Sequence, residues 1–364
     1  MRSFPILLLA TACIVSCAEQ EPLPVFGERV WDGEHLEIWA TDDARICGGS
    51  YEALDHHAQQ VSEYVNPLGL SSNTERYRYY WLSPEEHEEY DPCPSVGGGC
   101  FRGATAVYAS RYSSHEVVHA EFALGHHSFV DEGLAVMLGD FGLGEIVETT
   151  SIPDIIDETQ GRSLHNEHYG SAGKFIRAME ELHPEEFLPP LLETERTDDF
   201  ERFATTVTQG DVDLDAAITL NESESECRLE AFRLAVSECS LVPLAWANEA
   251  EWSASGVLDC ASEHTVGPDA SGAIWTIRSF DIVERGSYTV TAVTEGFAVL
   301  AGCDAPWCGS AFTGAFKPPG WLLLVSTVPS TVEMEPGRYW IRVEQEIEQD
   351  PAPFSLSVVR ERDE

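Results

Sequence analysis

Lysine is almost absent. Lys174 and Lys317 are the only two in 364 residues, and 21 basic side chains face 63 acidic ones. The resulting formal net charge of -42 excludes nucleic acid as a partner, because that binding rests on neutralising phosphates with Lys and Arg. Long apolar runs are missing as well. Beyond residue 16 no segment reaches the length that crosses a bilayer as a helix; Trp321 to Val328 comes nearest and reads as a buried strand. No CxxC pair occurs, which excludes a four-cysteine zinc site, and no G-x-S-x-G elbow occurs, which removes the usual serine nucleophile. There is no repeat at long period.

With 43 % hydrophobic and 10 % aromatic residues, the chain is globular in composition and long enough for two cores. Residues 1–16 read as a targeting segment, with Arg2 before the apolar run Phe4 to Val15. That run ends in Ile14-Val15-Ser16-Cys17, which resembles the lipobox of bacterial lipoproteins. The resemblance implies cleavage before Cys17, lipidation of its thiol and attachment to a membrane. With Ala18 in place of Asp, it implies the outer membrane. The alternative is a plain secretory signal in which Cys17 is incidental.

Of ten cysteines, eight remain once Cys13 and Cys17 are set aside, an even set that in an exported chain reads as disulfides. Eight thiols allow on the order of a hundred connectivities. Local pairs Cys93–Cys100, Cys227–Cys239 and Cys303–Cys308 are expected, which leaves Cys47 for Cys260.

The expected fold class is α+β, in four spans: signal 1–16, a Pro- and Glu-rich tether 17–34, a mixed domain 35–242, and an all-β sandwich 243–364. Strands are expected at 35–41, 77–82 and 104–109, the last with an exposed edge, and 84–103 reads as a loop. Helices are expected at 51–65, from Ser113 or Ser114 to Gly125, and at 129–140. Further helices follow at 172–182, 185–192, 199–207, 214–220 and 225–239. Past Pro243, strands are expected at 273–282, 286–293, 297–301, 320–328, 337–345 and 354–360. The aromatic cluster Tyr77, Tyr79, Tyr80 and Trp81 reads as core and sheet surface.

The chemistry concentrates in Ser114 to Leu138. His115 and His119 stand four apart, so a helix projects them from one face a turn apart, within reach of a single ion, and Glu116 lies between them. Glu132 follows on the next helix, where Gly133 and Ala135 are small enough to let it pack against the first. Tyr169 opens the run Tyr169-Gly170-Ser171-Ala172-Gly173-Lys174-Phe175.

These three parts, HExxH, then EGLA, then Y-x-x-AG-x-F, resemble the gluzincin metallopeptidases of the peptidase MA-like kind, specifically over about residues 100–182 and loosely over 35–240. The resemblance implies a zincin-like domain in which His115, His119 and Glu132 hold Zn²⁺. It implies that Glu116 is the base that takes a proton from water and returns it, that Tyr169 donates to the oxyanion, and that the substrate is a peptide or protein. The sequences MEPGRYWIRVE and FSLSVVRE resemble strands of small jelly-roll domains that follow bacterial secreted peptidases. A non-catalytic envelope protein that keeps the fold, and with it the metal, is the other reading. The pattern HExxHxxGxxH fails, since Phe122 stands where its glycine belongs and Gly125 where its histidine belongs. His126 and His127 are alternative ligands that read as solvated on a turn, and Asp131 is an alternative acid that reads as a cap or as facing water. Tyr169 can equally be an ordinary packed tyrosine.

Overall fold

The computed structural model describes residues 26–65, 76–93, 99–102, 106–122, 125–139, 150–184, 186–209, 212–223, 242–269, 271–303, 321–349 and 351–361. The signal segment, Cys17, the 225–239 helix and the pairs Cys227–Cys239 and Cys303–Cys308 lie outside these residues, although Cys303 itself is disulfide-bonded.

Part of the stretch expected to be a tether forms a strand. Strand β1 (Glu28–Asp32) pairs antiparallel with β2 (Leu36–Ala40), whose Leu36, Ile38 and Ala40 point into the core. The turn between them is fixed from a distance. The Asp55 carboxylate accepts from the backbone N–H of Glu34, His35 and Leu36 at 2.9, 2.9 and 3.1 Å. Asp55 belongs to helix α1 (Ser50–Val65), which leads to strand β3 (Tyr77–Trp81). The expected 84–103 loop instead contains helix α2 (Pro84–Tyr90), started by a reciprocal Ser83–Glu86 capping box, and strand β4 (Gly99–Arg102).

Strand β5 (Ala106–Ala109) completes a five-stranded sheet of order β1-β2-β3-β5-β4. Strands β2, β3 and β5 are parallel, whereas β1 and β4 run antiparallel at the two edges. The exposed edge is therefore β4, because β5 is paired on both sides. One face of the sheet carries Ile38, Tyr77, Tyr79, Trp81 and Val107 against α1 and the following helix. The other packs Tyr80 and Tyr108 beneath Phe26. The aromatic cluster is thus core on both faces.

Helix α3 (Ser114–Phe122) follows, then α4 (Ser128–Leu138), α5 (Ile152–Glu158), α6 (Tyr169–Leu182), α7 (Leu188–Leu192), α8 (Phe200–Thr208) and α9 (Leu214–Ser223). Helices α4, α6 and α8 share a core around Phe129, Phe175, Ile176 and Phe203. Gly133 serves this packing and not the contact with α3. A Cβ there would lie 2.7 Å from Ile176 Cγ1 and 2.9 Å from the Ala172 carbonyl oxygen, both on α6.

The C-terminal part is all β: β6 (Glu251–Leu258), β7 (Ala273–Ile282), β8 (Gly286–Val293), β9 (Phe297–Gly302), β10 (Trp321–Leu324), β11 (Ser330–Met334), β12 (Gly337–Glu346) and β13 (Ala352–Arg360). They form two antiparallel four-stranded sheets, β10-β9-β12-β7 and β11-β8-β13-β6. Alternate residues such as Trp252, Phe280, Val290, Ile341 and Val358 meet between the sheets, which is the period-two pattern of a half-buried strand. The structure is α+β, β-rich at its C-terminal end. Among the described residues no helix is long and apolar enough to cross a membrane.

Two expected disulfides are present. Cys93–Cys100 clips α2 to β4, and Cys47–Cys260 ties the loop before α1 to the C-terminal part.

Candidate metal centre

Helix α3 is buried on every side from Ser114 to Glu121. Four of those side chains are ionisable, with His115, Glu116, His119 and Glu121 only 4, 6, 5 and 2 % exposed. Burying such groups is costly unless each meets a partner. Two of the four, His115 and His119, share one partner, Glu132.

The i, i+4 spacing aims both imidazoles toward α4, which presents Glu132 from its interior. His115 Nε2 lies 3.1 Å from Glu132 Oε2 and 3.2 Å from His119 Nε2, and His119 Nε2 lies 3.3 Å from Glu132 Oε2. Three ligand-type atoms thus form a nearly equilateral triangle. An ion with tetrahedral bonds of about 2.0 Å keeps its ligand atoms about 3.3 Å apart. The triangle therefore fits a four-coordinate divalent ion with one position left free, and the three residues could hold it. Two imidazoles and one carboxylate suit several first-row metals and do not select one.

Electrostatics tighten the group. Burial works against charge on Glu132, but His119 and His115 outweigh it and hold the carboxyl well below its ordinary range. Burial likewise disfavours a charged His119, yet Glu132, Glu116 and Asp131 push its pKa up to about 9.

Glu116, electrostatically coupled to His115, His119 and Glu132, also lies against the edge strand. A Cβ on Gly99 of β4 would stand 3.0 Å from Glu116 Cγ and 3.1 Å from its Oε1, so the glycine leaves the carboxyl room beside the sheet edge. Burial raises the Glu116 pKa, with His115 and His119 pulling it down. Tyr169, the first residue of α6, stacks nearly parallel on His115, with ring centroids 5.8 Å apart at 9°. Its hydroxyl hydrogen-bonds the Glu132 carboxylate, and burial followed by that carboxylate raises its pKa.

All five residues singled out from the sequence for this chemistry are therefore brought together: His115, Glu116, His119, Glu132 and Tyr169. The alternatives behave differently. His127 is not solvated; it is fully buried, its Nδ1 accepts from the Phe129 N–H at 3.3 Å, and its ring meets Phe203 edge-on at 5.6 Å. Asp131 is half-buried near His119 and His126, and burial raises its pKa. Sequence reasoning missed Gly99 and, above all, Gly139, the residue that caps α4. A Cβ on Gly139 would lie 2.5 Å from His115 Cα and 2.7 Å from its backbone nitrogen. The expected helix ran through Gly139 to residue 140, whereas α4 ends at Leu138 and Gly139 is where it meets His115.

No family model and no curated protein matches the chain. Among solved structures, the pre-peptidase C-terminal domain of a collagenase from Bacillus anthracis is similar at 12 % identity over 33 % of this chain and 98 % of that one, with a TM-score of 0.21. Peruvianin-I, a cysteine peptidase from Thevetia peruviana latex, is similar at 12 % identity over 34 % of this chain and 69 % of that one, with a TM-score of 0.15. At those scores neither likeness bears on chemistry, and the site stands on its own geometry.

Proposed function

We propose that the chain is a zinc peptidase of gluzincin type, whose zincin-like domain comprises the expected span 35–242 together with strand β1 of the same sheet. We place it in the cell envelope, tied to a membrane through a lipidated Cys17. The observation that carries the reading is the triangle of His115 Nε2, His119 Nε2 and Glu132 Oε2 with sides of 3.1 to 3.3 Å, beside a buried Glu116 on the same helix. Disulfides at Cys47–Cys260 and Cys93–Cys100 fit an oxidising compartment.

Zinc, if bound there, would supply Lewis-acid chemistry that makes water more acidic. The protein's own residues do the rest. His115, His119 and Glu132 would hold the ion. Glu116 accepts a proton at its carboxylate as water adds to the scissile carbonyl, and returns it to the leaving amine. Tyr169 keeps Glu132 oriented through its hydroxyl and His115 through its ring, which puts its role nearer to positioning than to the oxyanion contact expected from sequence. The outer edge of β4, to which no strand pairs among the described residues, offers backbone groups to an extended peptide beside Glu116.

The test is purified chain lacking residues 1–17. It should hold about one zinc per molecule by elemental analysis and cleave an unstructured protein, and Glu116→Gln should keep the metal and lose cleavage. Absence of zinc in the wild type would sink the ligand assignment. Zinc without cleavage of any peptide would leave a metal-binding envelope protein.

A further inference from the structure

We infer that the C-terminal β-sandwich is a buttress for the metal-bearing helix, and that Trp275 is a positioning residue acting on His115 through Tyr112. The inference rests on the metal reading above.

Two helices of the N-terminal part start on one short segment of the C-terminal part, Cys260 to Pro268. At the start of α1, the N–H of Cys47, Gly48 and Gly49 donate to the carbonyls of Gly267, Cys260 and Thr265 at 3.0, 2.9 and 2.9 Å. The Ser50 hydroxyl donates to the Gly267 carbonyl and accepts from the Gly267 N–H, both at 3.0 Å. Backbone meets backbone so closely that a Cβ on Gly49 would lie 2.7 Å from the Glu263 carbonyl oxygen. The Cys47–Cys260 bond locks the same junction.

The approach to α3 is held the same way. The Tyr112 N–H donates to the Pro268 carbonyl at 2.8 Å, and the Tyr112 ring meets Trp275 edge-on at 5.1 Å and 88°. Trp275 projects from β7 away from the sandwich interior and into the core formed by the N-terminal sheet with α1 and α3. Its indole carries the Arg342 guanidinium at 4.2 Å, and Arg342 pairs with Glu344 at 2.6 Å. From the sheet side, the Tyr79 hydroxyl donates to the Arg111 carbonyl at 2.9 Å and accepts from the Ser113 N–H at 3.1 Å. The segment Arg111 to Ser113 is therefore clamped from both parts of the chain.

This clamp matters because His115 occupies the first turn of α3. The first four N–H groups of a helix lack partners inside it, so the direction of its first turn is set by what holds the entering chain. His119 lies a turn further in and depends on it less. Groups that orient a ligand without touching the ion change metal affinity about 10- to 100-fold when removed.

The experiment measures zinc affinity by chelator competition, and the cobalt absorption spectrum, in chain lacking residues 1–17. Trp275→Ala and Tyr112→Leu should bind zinc about tenfold or more weakly, with an altered cobalt spectrum. Trp275→Phe, which keeps a ring edge for Tyr112, should recover most of the affinity. Trp252→Phe, deep in the sandwich interior, should perturb stability while leaving affinity and spectrum at wild-type values. Should Trp275→Ala fail to fold, Tyr112→Leu decides. Wild-type affinity and spectrum in a folded Trp275→Ala or Tyr112→Leu overturn the buttress alone. A wild-type chain that binds neither zinc nor cobalt overturns the metal reading, and the buttress with it.

Discussion

Gly139 and His115 touch backbone to backbone: a Cβ at position 139 would fall 2.5 Å from His115 Cα and 2.7 Å from its nitrogen. No side chain rotation relieves such an overlap, so even alanine must push α3 and α4 apart. Overpacking of this kind costs about 1–3 kcal/mol. Here it would also displace His115, one of the three residues proposed to hold the metal. Gly139→Ala should lower zinc affinity about tenfold or more, read by chelator competition, alongside a modest fall in Tm. Unchanged affinity would mean that the contact does not set the position of His115.

Glu132 has three partners besides the ion it would hold, since both imidazoles and the Tyr169 hydroxyl approach its carboxylate. Glu132→Gln keeps the volume and removes the charge. Zinc affinity should fall at least about a hundredfold, as a direct ligand matters more than a group that merely orients one. Tyr169→Phe should fall between wild type and Glu132→Gln, because it deletes one hydrogen bond to the ligand and keeps the ring stacked on His115. Equal affinity in Glu132→Gln and wild type would remove Glu132 from the ligand set.

The site was legible where its geometry is local. A helix fixes the relation of His115 to Glu116 and His119 within a turn, and Glu132 lies one short connection away. Residues whose roles depend on distant chain were not legible. His127 looks solvated beside Gly125 and His126 until Phe203 arrives across it from α8. Gly133 looks suited to α3 until α6 takes that space. Strand β1 hides in a Pro- and Glu-rich stretch because its support, Asp55, belongs to the next helix. The Ser83 and Glu86 of α2 do form a readable capping signal, masked by the prolines around it. Of the C-terminal strands, β6 and β11 escaped notice; β6 alternates only Ser, Ala and Gly through its middle and offers little hydrophobic contrast.

His57 gives the chain a pH dependence of its own. It lies 3 % exposed on α1, its Nε2 finds no partner among the described residues, and burial, with His56 adding to it, pushes its pKa down to about 4. The unfolded chain takes up a proton there near pH 6.5, while the folded chain resists until about pH 4. Stability from this residue is therefore complete above about 6.5 and is lost as the pH falls to about 4, at most by about 3 kcal/mol. His57→Leu should flatten that part of the curve. Urea denaturation of both proteins between pH 4 and 7.5 checks it, and a difference that stays constant across the range would refute the assignment.

The two disulfides should contribute very unequally. Cys47 and Cys260 are 213 residues apart in sequence, Cys93 and Cys100 only 7. A cross-link lowers the entropy of the unfolded chain by an amount that grows with the logarithm of the loop it closes. That gives about 5 kcal/mol for the long loop and about 2 kcal/mol for the short one. The folded state retains its junction without the long bond, because the hydrogen bonds from Cys47, Gly48, Gly49 and Ser50 to the 260–267 segment remain. Cys47→Ser with Cys260→Ser should thus keep zinc affinity while losing about twice the stability that Cys93→Ser with Cys100→Ser loses. Urea denaturation gives the stabilities and chelator competition the affinities. Equal losses for the two pairs would show that local strain or denatured-state structure outweighs the loop term. A fall in zinc affinity in the first pair would show that the covalent bond, beyond the backbone contacts, positions the helix that bears His115.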